Sequence, residues 1–192
     1  AVKYFSLFPS VESVAVGNTL AWWHTRPDSD IDLFITVRPG TVWVTRFFLV
    51  LPFALLGKRP KLHEDDSSGK DTFCFSFFVA SDRLSMQSLS LEENDPYLAY
   101  WTVSLVPIFD RTNIFEKFEM ENQWVSKFLP HARSRTLHRK LCSGFKKALP
   151  LNMSFFERIT KKIQMKKLPD QIRHLANTDS RVVINDQMLK FH

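Results

Sequence analysis

Apolar and polar residues alternate along this chain in a way that sets out most of its elements. Residues 13–16 (SVAV) are short, apolar and β-branched and stop at Gly17, which predicts a buried strand ended by a turn. Asn18 and Thr19 are placed to cap a short helix over 20–24, and residues 26–29 (RPDS) have turn chemistry. Residues 30–37 (DIDLFITV) alternate strictly. They predict a strand with Asp30, Asp32, Phe34 and Thr36 on one face and Ile31, Leu33, Ile35 and Val37 on the other. Residues 41–56 are apolar almost all round and predict a helix that Pro52 bends or ends early.

The polar stretch 58–71 predicts a loop. Residues 72–79 (TFCFSFFV) predict a second buried strand, with Phe73, Phe75 and Phe77 on one face and Cys74, Ser76 and Phe78 on the other. Helical spacing recurs over 97–109, 114–129, 134–148 and 152–167, and 181–184 (RVVI) predicts a late strand. Strands first and helices after make this an α+β chain: a small mixed β-sheet core over 1–94, then a helical, basic C-terminal region over 95–192.

Composition narrows the class. Of 192 residues, 44% are hydrophobic and 24% charged, which excludes a disordered or collagen-like chain. Two cysteines, Cys74 and Cys142, make neither a disulfide framework nor a four-cysteine zinc site, and this points to a reducing, cytoplasmic setting. The longest apolar run, 47–56, has ten residues with a proline inside. That falls short of the roughly 20 needed to span a bilayer, so a core helix is expected and membrane contact is not. The opening residues lack a signal-peptide pattern and begin without Met inside a structured-looking segment, so residues upstream are expected.

Charge is uneven. Residues 131–167 hold eleven Lys and Arg against one acid, Glu157, and so carry +10 of a net +6, leaving −4 for the rest. Such a segment is a footprint for RNA or another polyanion, or else a solvated helix face.

The chemistry concentrates in 14–36 (VAVGNTLAWWHTRPDSDIDLFIT). Alternation puts Asp30 and Asp32 side by side, roughly 6 to 7 Å apart along the strand. Two such carboxylates repel unless a cation lies between them. Mg²⁺, or Mn²⁺ in its place, takes hard oxygen ligands, commonly one or two carboxylates plus substrate phosphates. A Gly turn opening a helix offers backbone N–H groups to phosphate.

Gly17-Asn18-Thr19 followed by Ser29-Asp30-Ile31-Asp32-Leu33 on a strand resembles the nucleotidyltransferase superfamily, typified by DNA polymerase β and the small bacterial minimal nucleotidyltransferases. The resemblance covers about 10–79. It implies an α/β core in which Asp30 and Asp32 bind divalent metal and Gly17, Asn18 and Thr19 hold the triphosphate of an NTP donor. An acceptor hydroxyl on RNA, a protein or a small molecule would take the NMP and release pyrophosphate.

The family turn is usually Gly-Ser or Gly-Gly, whereas here Asn18 intervenes and the hydroxyl comes at Thr19. The third carboxylate that active members bring from a later strand has no assigned counterpart. Cys74 and Ser76 fill the interior of 72–79, with Asp71 at its edge and Asp82 beyond it. A catalytically silent module that binds nucleotide or RNA is the alternative.

Other residues have plainer readings. Asp28 is expected to cap its own turn, His24 and Arg26 either to reach phosphate or to be solvated, and His63, Glu64, Asp65 and Asp66 to form a solvated loop. Cys74 reads as a small buried hydrophobe, and Trp22 and Trp23 as packing of the short helix against the sheet.

Overall fold

The computed structural model describes residues 2–24, 29–56, 73–91, 94–133, 154–178 and 181–191. Its strands are β1 (Val11–Val16), β2 (Ile31–Val37), β3 (Phe73–Ala80), β4 (Val106–Asp110), β5 (Val182–Ile184) and β6 (Met188–Phe191). They form one six-stranded mixed sheet in the order β4-β1-β2-β3-β6-β5. Only β2 and β3 pair in parallel; the other neighbours are antiparallel. A parallel pair needs a crossover, and α3 (Val42–Leu55) lies in that connection.

Helices cover both faces. On one, Val14, Val16, Leu33, Ile35 and Val37 are buried with Phe5 of α1 (Val2–Ser6) and with Trp43 and Leu49 of α3. Met165 of α6 (Ser154–Lys167) and Ile172 of α7 (Asp170–Leu175) pack onto the same cluster. On the other face, Ala15, Phe34, Phe77, Val79 and Met188 are buried under Leu98 of α4 (Pro96–Ser104) and Phe115 and Phe118 of α5 (Ile114–Glu121). Each fully buried large side chain, such as Trp43 or Phe34, contributes roughly 1.5–3 kcal/mol of burial free energy. The alternation read from β2 therefore holds: odd positions face α3, and Phe34 faces α4.

β3 changes phase partway. Phe73 and Phe75 face α3 and so does Phe78, while Phe77 faces α4. The register slips between Asp32↔Cys74 and Phe34↔Phe77, so β3 advances three residues while β2 advances two. This bulge moves Phe77 and Phe78 to the faces opposite those that simple alternation assigns.

Region 95–192, expected to be helical, also supplies β4, β5 and β6. The helix expected over 97–109 stops at Ser104, and 106–110 becomes an edge strand on β1. Pro107 explains this. It biases Val106 towards extended backbone, and its missing N–H is tolerated at an edge. The helix expected over 114–129 divides at Asn122 into α5 and a 3₁₀ turn (Gln123–Lys127). Asn122 is buried and holds the 84–86 loop: its Nδ2 donates to Leu84 C=O (2.8 Å) and its Oδ1 accepts from Met86 N–H (2.8 Å). The loop expected over 58–71, the helix expected over 134–148, Arg26, Asp28, His63, Glu64, Asp65, Asp66, Asp71 and Cys142 lie outside the described residues.

α3 runs through Pro52 to Leu55 without ending early. No helix among the described residues is long and apolar enough to cross a membrane. The N-terminus of α3 is capped from a distance. Thr41 precedes it but turns its hydroxyl back to Arg38 C=O (2.8 Å). Glu157 of α6 caps instead, its two oxygens accepting from Trp43 N–H (2.9 Å) and Val44 N–H (2.8 Å).

Candidate functional site

The site begins where β1 ends. Gly17 N–H donates to Asp32 C=O at 3.0 Å, which ties the turn to the start of β2. Its φ of −120° suits any residue, so the glycine is there for space. A Cβ would stand 3.3 Å from Leu105 Cδ2 and 3.6 Å from Trp101 Nε1. Asn18 has φ of 49°, a left-handed conformation that asparagine accepts more readily than most residues. α2 (Asn18–Ala21) starts two residues earlier than expected, with Gly17 at the cap position and no side-chain capping bond. The capping expected of Asn18 and Thr19 is therefore corrected: Asn18 opens the helix rather than preceding it. The side chain of Thr19 lies outside the described residues.

Gly17→Ala is expected to cost about 1 kcal/mol, the low end for overpacking, because the crowded atom is the tip of a leucine. A thermal melt checks this, and an unchanged melt would show that Leu105 yields freely.

Asp32 is half-buried on β2, and among the described residues nothing hydrogen-bonds its carboxylate. Asp30 is also half-buried, one residue before the strand. Asp32, Gly17 and Asn18 line a cavity of about 350 Å³ between the sheet and α4; Asp30 is not on its wall. Phe34, Phe77 and Trp101 make the apolar side: Phe77 stacks on Trp101 (5.4 Å between ring centres, 15°) and Phe34 meets Phe77 edge-on (5.0 Å).

Cys74 is the Cα partner of Asp32 across β3 and shares its face, since Phe73 and Phe75 point to α3. It is half-buried rather than fully buried. Asp82 is excluded as a third site carboxylate. β3 runs parallel to β2 and pairs Ala80 with Val37, so Asp82 lies past the end of the sheet opposite Asp32. No group of three or more His, Cys, Asp or Glu among the described residues is placed to hold a metal.

The chain's other half completes the cavity. Lys190 of β6 pairs with Phe77 and so lies on the Asp32 face, and Arg181 lines the wall nearby. Asp95 also lines it, but its carboxylate is engaged as the cap of α4, accepting from Leu98 N–H (2.8 Å) and Leu91 N–H (3.3 Å). Asp95-Pro96 was readable as a helix start; nothing local marked it, Lys190 or Arg181 as cavity residues.

Trp22 packs on α4, with Nε1 donating to Ser104 Oγ (2.9 Å) and its ring beside Tyr100, and Trp23 is 84% exposed. His24 is exposed. The described helix of the basic segment, α6, packs against α3 and so lies across the sheet from Asp32. Compared with known proteins, the chain matches no family model, no curated protein and no solved structure.

Proposed function

We propose that the chain is an Mg²⁺-dependent nucleotidyltransferase that moves NMP from an NTP to an acceptor hydroxyl and releases pyrophosphate. One observation carries the reading. The Gly turn and β2 are joined by the hydrogen bond from Gly17 N–H to Asp32 C=O, and Gly17, Asn18 and Asp32 line a single cavity, with Asp30 one residue before the strand.

Asp30 and Asp32 fit a hard cation. Asp32 offers a half-buried carboxylate with no partner among the described residues, and two carboxylates suffice where phosphate oxygens and water complete the shell. Bound there, Mg²⁺ would polarise the phosphoryl oxygens and offset charge on the leaving group.

The chain's own task is positioning. Gly17 N–H is committed to Asp32, so contact with the phosphate chain falls to Asn18 and Thr19. Phe34, Phe77 and Trp101 keep water from one side. The acceptor oxygen forms a bond to the α-phosphorus as the bond to pyrophosphate breaks, and the acceptor proton leaves to a base outside the assigned residues.

The second reading, a catalytically silent module that binds nucleotide or RNA, is favoured by Cys74 standing opposite Asp32 on β3. A label-transfer assay separates the two. Protein, Mg²⁺ and each α-phosphate-labelled NTP are incubated with cell extract, and nucleic acid, protein and small-molecule fractions are then resolved. Label entering one fraction with wild type but not with Asp30→Asn supports transfer and gives the acceptor class. NTP binding with no label in any fraction supports the silent module.

A further inference from the structure

α3 and α6 pack against each other on one layer of the sheet, and both turn apolar side chains outward. In α3, Val42, Arg46, Leu49 and Val50 are buried, while Phe48, Leu51 and Leu55, spaced three and four apart on the opposite side, are exposed. In α6, Glu157, Thr160 and Gln164 are buried, while Phe155, Ile159 and Ile163, each four residues on, are exposed. Leu55 is 78% and Phe155 68% exposed. The run 47–56 reads in the sequence as a core helix without membrane contact, yet part of it meets solvent.

Charge on the same side selects the occupant. Lys162 and Lys166 continue the three- and four-residue spacing of Phe155, Ile159 and Ile163, and both are exposed. Neither they nor Arg158 and Lys167 have an acid partner among the described residues, whereas Lys161 is held by Asp186 (2.6 Å). The one acid of α6, Glu157, is turned inward as the cap of α3. A second copy of the chain on a two-fold axis would bring this same cationic patch to both sides of the contact. Single-stranded RNA would take the cations but finds no ring to stack on in leucine and isoleucine. An anionic lipid surface uses both kinds of side chain: headgroup phosphates take the lysines, and the acyl boundary takes the apolar groups.

We propose that the outward face of α3 and α6 docks on an anionic lipid bilayer, lying in its surface rather than spanning it. The Asp32 cavity is on the other side of the sheet, so docking leaves it uncovered and the proposal stands apart from the transfer reading. Sedimentation of the full chain with vesicles gives the test, with phosphatidylcholine alone and with about one-third phosphatidylserine. The variants are Leu55→Ser/Phe155→Ser and Lys162→Gln/Lys166→Gln, all at exposed positions, so both should melt like wild type. Wild type is expected to bind the phosphatidylserine vesicles at least about tenfold more strongly than phosphatidylcholine, and to lose most of that difference between about 0.1 M and about 1 M salt. The lysine pair is expected to weaken binding about fivefold per charge removed, and the apolar pair by at least about tenfold.

No pelleting with the phosphatidylserine vesicles would overturn the proposal, as would equal pelleting with both compositions. Binding unchanged in either variant, with a melt like wild type, would do the same. With vesicle binding absent, dimerisation in sedimentation velocity that the apolar pair abolishes would give the face to a second copy. RNA binding that only the lysine pair abolishes would then give it to RNA instead.

Discussion

Asp32→Asn is expected to lower nucleotidyl transfer by at least about 10³-fold, the several kcal/mol of transition-state stabilisation that a metal-centred site supplies. The melting temperature should stay level or rise. The contrast follows from how Asp32 is held. Its structural bond runs through the main chain, Gly17 N–H to Asp32 C=O at 3.0 Å, and survives any side-chain change. Its carboxylate has no partner among the described residues, so Asn orphans nothing.

Removing one of two neighbouring carboxylates also relieves repulsion, by up to about 1 kcal/mol for partly exposed charges. For a domain of this size that amounts to a rise of roughly 2–4 °C. Asp30→Asn is expected to lower transfer in the same way. Transfer rates and melts on the same preparations check the prediction. Transfer surviving in both variants would move the chemistry away from this strand. Activity and melting temperature falling together would make Asp32 a structural residue.

The parts of this site that were legible in the sequence are those set by local pattern. Strict alternation over 31–37 fixed which side chains of β2 face which layer, because a strand buried on both faces leaves no other register. Gly17 marked its turn, although the reason is Leu105 and Trp101, which come from more than eighty residues away. What alternation could not reveal was the β3 bulge, since Phe73, Phe75, Phe77 and Phe78 are equally apolar whichever way they point. The hairpin that brings Lys190 beside Phe77 was missed for a related reason. Four residues of β6 with one lysine carry too little periodicity to declare a strand, and the evidence for it is its pairing with β3. The +10 count was correct as composition, yet α6, which carries five of those cations, packs against α3, so its charge lies on the sheet face away from the cavity.

That same helix holds a polar residue whose loss should cost the fold several kcal/mol. Glu157 is the single acid of the basic segment, and it is 9% exposed against the start of α3. Its two oxygens take the N–H groups of Trp43 and Val44, donors that a helix N-terminus leaves without internal partners. Gln164 reinforces the contact one helical stretch later, donating to Trp43 C=O (2.7 Å) and accepting from Arg46 (2.6 Å).

Glu157→Ala leaves both amides buried and unpaired and opens a void, for an expected loss of about 3 kcal/mol. At this chain length that lowers the melting temperature by roughly 6–12 °C. Glu157→Gln keeps a carbonyl acceptor and should lose less.

The glutamine variant also isolates a pH effect. Burial raises the Glu157 carboxyl above its ordinary 4.5, against the lowering by the Trp43 and Val44 amides, with Asp186 adding to the rise and Lys161 opposing it. The folded state therefore binds the proton more tightly than the unfolded chain does. The stability this confers is complete below about pH 4.5 and is lost as pH rises through the raised folded value. Asp186, held low chiefly by its bond to Lys161, acts in the opposite sense but below its ordinary 3.8, outside that window. Urea unfolding from pH 4 to 8 should show wild type losing ground to Glu157→Gln as pH rises. A difference that is flat across that range would mean that the two amides and the helix terminus hold Glu157 ionised throughout.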